Sequence, residues 1–260
     1  MIRGEYFDAD VLLITMKTVF LGACLAFPAT LSVAAEARFE SGPQQTALIE
    51  LYTSEGCNSC PPAEAWMSRL KDSPGLWKQF VPIAFHVDYW DRLGWRDRFS
   101  SQRWTERQRR YASLWQSESV YTPAVVVNGR EQRGLPEGSL SQPNEKQAGV
   151  LDVTTSDGKN FSVEFRPDKE SGSDWEVHVA LLGSGISSNV RAGENSGRNL
   201  QHDFVVVDLR DATMKSENGT LRARLTTDAT GETGARKAVA VWISDRERLA
   251  PVQATGGWLP

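Results

Sequence analysis

The sequence predicts an α/β domain followed by a small antiparallel β-sandwich, and three observations carry that reading. An apolar run, Ala47-Leu48-Ile49-Glu50-Leu51-Tyr52, passes through a polar turn into Cys57-Asn58-Ser59-Cys60-Pro61-Pro62 and a helical stretch. A second apolar run over residues 81–87 closes a strand–helix–strand unit, whose two strands are expected to be parallel with a right-handed crossover. Residues 150–260 then alternate apolar and polar side chains in short runs separated by turn residues, with no helical period.

The 260-residue chain is 40% hydrophobic and 24% charged, the composition of a soluble globular protein. Its net charge of -4 gives no general attraction for nucleic acid or an anionic membrane. Residues 1–35 differ in kind. Lys17 precedes a run of apolar and small residues that ends in Val33-Ala34-Ala35, the parts of a secretory signal peptide. The acidic residues Glu5, Asp8 and Asp10 fit such a leader poorly, which points to Met16 as the start of translation. Cleavage after Ala35 or Ala37 would leave a periplasmic or secreted protein without stable membrane insertion, and would remove Cys24. Leu21-Gly22-Ala23-Cys24 faintly resembles a lipidation box, but the apolar run continues past the cysteine.

In the body of the chain, the helix after the cysteines is expected over residues 63–70. Pro61 and Pro62 sit at its start, where a missing N–H costs little, and Pro74-Gly75 ends it. Residues 101–116 read as a second helix with Trp104, Tyr111 and Trp115 on one face. The arginines 103, 107, 109 and 110 read as its solvated side. Thr122-Pro123 opens a strand that Asn128-Gly129 closes, a strong hairpin signal. The domains are therefore expected at 44–130 and 150–260, joined by a Gly- and Pro-rich linker at 131–149.

The Cys-x-x-Cys pair carries the chemistry. Unpaired N–H groups and a partial positive charge at a helix start favour a thiolate over a thiol. Cys57, the outer residue, is expected to attack and Cys60 to resolve the mixed disulfide. As a structural staple, a loop this short contributes only about 2 kcal/mol.

The order strand, Cys-x-x-Cys, helix, strand, helix, Thr-Pro, strand, hairpin is similar to the thioredoxin fold. More narrowly, the residues of 50–64, Ala84-Phe85-His86-Val87-Asp88-Tyr89-Trp90-Asp91 and Tyr121-Thr122-Pro123 resemble a family of secreted bacterial thioredoxin-like proteins of unknown function. Gly193-Glu194-Asn195-Ser196-Gly197-Arg198 is a further echo of it. The resemblance implies that residues 44–130 form a thioredoxin-like domain, with Pro123 as a cis-proline beside the redox pair. Thr122 and Pro123 would then bind the extended chain of a substrate. The chain departs from ordinary thioredoxins in two ways. Gly56 stands where a tryptophan usually precedes the first cysteine, and the last helix is hard to find in 131–149.

Around the pair, Glu50 has two readings: proton acceptor for Cys60, or a side chain facing water or paired with an arginine. Tyr89 and Trp90 lie in a loop expected to rim the site, as substrate contacts or as a cap over the core. The leading function is an exported thiol–disulfide oxidoreductase. It would act on protein thiols and disulfides with a separate redox partner and no cofactor beyond its own disulfide. The alternatives are a Cu(I) carrier, using Cys57, Cys60 and His86, and a binding module in which the pair is vestigial.

Overall fold

The computed structural model describes residues 36–136, 145–169, 174–228, 233–246 and 249–260. The leader, Cys24 and the middle of the expected linker lie outside them. Strand β1 (Ala37–Glu40) is followed by β2 (Ala47–Thr53), helix α1 (Pro61–Arg69), β3 (Phe80–His86) and helix α2 (Gln102–Leu114). Strands β2 and β3 pair in parallel and in register, from Ala47 beside Phe80 to Thr53 beside His86. Their carboxyl ends therefore meet at Thr53 and His86. Ser101 starts α2 as an N-cap, its Oγ accepting from the Arg103 N–H at 3.2 Å. Asn128 and Gly129, both at positive φ, turn β4 (Ala124–Val127) into β5 (Arg130–Gln132), as the sequence predicts.

The second half of the chain overturns the expected fold class. Strands account for 48% of the described residues and helices for 14%, and among them no separate small sandwich follows an α/β domain. Strands β6 (Gly149–Thr155) and β7 (Asn160–Pro167) enter a five-stranded antiparallel sheet in the order β1-β6-β7-β13-β12. Its last two members are β12 (Lys215–Glu217) and β13 (Thr220–Thr226). Strands β8 (Trp175–Ser184), β11 (Val205–Thr213), β14 (Arg236–Asp245) and β15 (Pro251–Trp258) instead extend the sheet begun by β2 and β3. The result is an eight-stranded mixed sheet in the order β15-β14-β8-β11-β3-β2-β4-β5. The join is the parallel contact of β11 with β3, where Val205 pairs with Ala84 and the Ala84 N–H donates to the Phe204 carbonyl at 2.8 Å. Strand β5 begins where the linker was expected, and the expected domains at 44–130 and 150–260 share this sheet and one compact unit.

The large sheet is buried on both faces. Along β8 and β14, Val177, Val179, Leu181, Val239, Val241 and Ile243 point toward the five-stranded sheet, against Phe161, Val163 and Phe165. The alternate residues Ala180, Leu182, Ala238, Ala240 and Trp242 join a second core with Leu48, Leu51, Phe85, Trp66 of α1 and Trp104 and Tyr111 of α2. Gln253 stitches this assembly together from a fully buried position. Its Oε1 accepts from the Thr46 and Ala254 N–H groups, and its Nε2 donates to the carbonyls of Gly42, Gln44 and Gly149. Two further strands, β9 (Ile186–Asn189) and β10 (Asn199–His202), form a hairpin that brings His202 opposite Ile186 and beside α1. Among the described residues, no helix is long and apolar enough to cross a membrane.

Candidate functional site: a buried disulfide and a His–carboxylate cluster

Cys57 and Cys60 form a disulfide between the end of β2 and the start of α1. The local backbone dictates this: the Cys57 N–H donates to the Ser54 carbonyl and the Cys60 N–H to the Cys57 carbonyl. Those two tight turns bring the sulfur-bearing residues together. Cys60 is the N-cap of α1, and its carbonyl accepts from the Ala63 and Glu64 N–H groups, with Pro61 and Pro62 opening the helix. The expected exposure of Cys57 is not found. Both cysteines are fully buried, and only Asn58 and Ser59 between them reach solvent.

The cover comes from the β9–β10 loop. Asn195, itself fully buried, donates through Nδ2 to the carbonyls of Glu55 and Cys57, each at 2.9 Å. Arg198 fixes the Asn195 Oδ1 at 2.8 Å, and Glu194 accepts from the Asn58 N–H. This is the Gly193–Arg198 echo of the sequence, and its location explains it: the loop clasps the cysteine turn from 138 residues away.

The loop after β3 supplies the other wall. The Trp90 indole donates to Thr122 Oγ1 at 2.8 Å, and the Thr122-Pro123 peptide bond is cis. A Cβ on residue 56 would lie 3.0 Å from Trp90 Cβ, so any larger residue in front of Cys57 would have to push Trp90 aside. Trp90 thereby connects Gly56 with Thr122, bringing two of the expected substrate contacts to the cysteine turn. Tyr89 turns instead to α2, its hydroxyl 3.4 Å from Gln108 Oε1.

Glu50 is not poised as a proton acceptor. It is fully buried and receives four hydrogen bonds, from Arg107 Nε at 2.7 Å and Nη2 at 3.1 Å, Tyr111 Oη at 2.6 Å and Tyr52 Oη at 3.0 Å. The reading of Glu50 as an arginine partner is the one its contacts fit. Arg107 is therefore buried, not part of a solvated arginine face. Burial opposes its charge, but the Glu50 carboxylate raises its pKa further above the ordinary value.

His86 leads to residues the sequence reading did not assemble. Its Nδ1 is 2.7 Å from Asp97 Oδ2, which also accepts from the Glu55 N–H at 2.8 Å. The His86 ring meets the His202 ring edge-on with centroids 5.1 Å apart. His202 Nδ1 pairs with Glu64 Oε2, and Glu64 Oε1 accepts from the Thr53 hydroxyl at 2.6 Å. On its other side, His202 Nε2 lies 3.3 Å from Glu55 Oε1 without hydrogen-bond geometry, while Trp95 Nε1 donates to Glu55 Oε2 at 2.6 Å. Burial opposes a charged His202, yet Glu55 and Glu64 push its pKa up to about 10. Burial likewise opposes Glu55 ionisation, but His202, Ser188 and Trp95 hold it down at about 2; Glu64 is lowered against burial chiefly by His202. The signals that could have found this cluster were His202 in a polar hairpin and the two glutamates flanking the cysteines.

The family described as a protein of unknown function, DUF1223, matches residues 48–244, a span that holds the cysteine turn, the cluster and the clasping loop. The chain belongs to that family. No curated protein matches it. An X-ray structure of an Agrobacterium tumefaciens protein is similar at 23% identity and a TM-score of 0.59, covering 83% of this chain and 95% of that one. HBP35 of Porphyromonas gingivalis is similar at 14% identity and a TM-score of 0.55, covering 84% of this chain and 76% of that one. At these identities the likeness extends to the fold alone.

Proposed function

We propose that this DUF1223 protein is an exported thiol–disulfide oxidoreductase whose working pair is Cys57 and Cys60. One observation carries the reading: the cysteines are bonded across a four-residue turn at the N-terminus of α1, where a disulfide adds little as a staple. In the reducing direction, the Cys57 thiolate attacks a substrate disulfide and releases one substrate thiolate. Cys60 then attacks the Cys57 sulfur, releasing the second substrate thiolate and closing the Cys57–Cys60 bond. Two electrons pass from the pair to the substrate, and the same steps in reverse oxidise a dithiol. Because both cysteines are buried, exchange requires the Glu194–Asn195 clasp to lift from the turn. A disulfide and an apolar leader both suit an oxidising compartment outside the cytoplasm.

The test is covalent trapping in cells that export the protein. Cys60→Ser should accumulate mixed disulfides with partner proteins on Cys57, and Cys57→Ser should accumulate almost none. Adding Asn195→Ala to Cys60→Ser should raise the yield severalfold by loosening the clasp. No trapping in any of these variants would leave the disulfide a structural element and overturn the proposal.

A further inference from the structure

The cluster beside the disulfide has the composition of a metal site. His86 spends its Nδ1 on Asp97, which leaves Nε2 as its one open position, and that atom is buried with no hydrogen-bond partner. His202 is held on both edges of its ring, by Glu64 at Nδ1 and by Glu55 Oε1, which lies 3.3 Å from Nε2. One donor atom each from Glu64, His86 and His202 lies within 4.8 Å of the others. A buried polar atom without a partner is costly, at about 1–3 kcal/mol, so the open His86 Nε2 beside Glu64 and His202 requires a physical reason.

We propose that Glu64, His86 and His202 form a binding site for a divalent transition-metal cation of the zinc class, with Glu55 behind the far edge of the His202 ring. Two imidazoles and carboxylate oxygens are the donors that zinc takes in four-coordinate sites. Carboxylates behind the imidazoles are equally characteristic, because a second partner fixes the tautomer and the ring direction. Asp97 does this for His86. Electrostatics points the same way: Glu55, Glu64 and Asp97 converge on two imidazoles, and a dication balances that excess of buried carboxylates. Donors around a tetrahedral zinc stand about 3.3 Å apart, given metal–ligand distances of about 2.0–2.1 Å. Binding would therefore part Glu64 from His202 Nδ1 to admit the ion and bring the His86 donor, now within 4.8 Å, closer, and the His202 proton leaves as the metal enters.

The four residues come from distant stretches: the turn before Cys57, α1 four residues after Cys60, the end of β3 and the β9–β10 hairpin. A bound ion would pin the clasping hairpin to the segment that carries the disulfide. Of the expected copper ligands only His86 belongs to it, since the cysteines are bonded to each other and take no part.

The full-length protein, with its disulfide intact, is stripped with a chelator and titrated with zinc. Calorimetry gives the affinity and elemental analysis the metal count. One zinc per chain is expected, retained in the Cys57→Ala/Cys60→Ala variant. His86→Gln and His202→Gln should each weaken binding at least tenfold, and circular dichroism without metal reports whether they fold. Cobalt(II) bound to the unsubstituted protein decides the matter without any variant. Tetrahedral visible bands with no thiolate charge transfer are expected. Absence of stoichiometric zinc at micromolar concentration, or loss of zinc in the double cysteine variant, would overturn the proposal. The metal count does not depend on trapping, so failure of the redox reading is recognised separately.

Discussion

Two buried carboxylate clusters lie at β2, one in mid-strand and one just beyond its end. Glu50, in mid-strand, has both oxygens occupied by Arg107, Tyr52 and Tyr111. Glu55 and Glu64, flanking the cysteines, share His202, and the neighbouring His86 Nε2 is left without a hydrogen-bond partner. The two clusters are built from the same residue types in the same protein interior. The first is closed, and its chemistry ends at the fold. The second keeps an open position at His86 Nε2, which is the condition for binding a ligand.

The comparison breaks most visibly at Arg107. Arg107→Met should strand the Glu50 carboxylate and cost about 3–5 kcal/mol in denaturant unfolding, whereas Glu50→Leu with Arg107→Met should recover most of that loss. Both proteins should keep the trapping behaviour of the parent. If Glu50→Leu/Arg107→Met instead abolished trapping in the Cys60→Ser background while restoring stability, Glu50 would belong to the working site. Gln253 is a second closed position, and Gln253→Ala should cost about 2–3 kcal/mol by leaving several buried backbone groups unpaired. Unchanged stability there would mean that water replaces the amide at no cost.

The smallest effect is expected at a half-open network. Asp211 Oδ1 is 2.7 Å from His178 Nδ1, Asp211 Oδ2 accepts from Arg103, and His178 Nε2 is 2.7 Å from Ser244 Oγ. Partial burial opposes ionisation of Asp211, but His178 and Arg103 lower its pKa. A carboxyl group lowered on folding stabilises the protein above its unfolded value, near pH 4, and loses that contribution as pH falls through the folded value. Asp211→Asn should therefore be less stable than the parent at neutral pH, with the gap closing below about pH 4 in melts followed by circular dichroism. A gap independent of pH would assign the effect to packing.

Much of the fold's local structure was legible. The Asn128-Gly129 turn, the Ser101 start of α2, the parallel pairing of β2 and β3 and the closeness of Cys57 and Cys60 all follow from neighbours in the chain. The candidate site was legible only in its cysteines and in isolated members such as His86. Asp97 carried no pattern, and His202 meets Glu64 across 138 residues.

The sequence by itself determined, to within a few residues, where β2, α1, β3, α2 and β4 lie, because capping, turn geometry and apolar period act over a few residues. It also determined that the two cysteines could close on each other. Only the tertiary structure decided that β8, β11, β14 and β15 join the first sheet instead of forming a separate sandwich. The physical reason lies in burial on both faces. In β14, Val239 and Val241 face one core while Ala238, Ala240 and Trp242 face the other, so the run is apolar throughout and names no partner. The same holds for charge: a glutamate in an apolar strand is neither structural nor functional until a distant arginine, or a distant histidine, is brought to it.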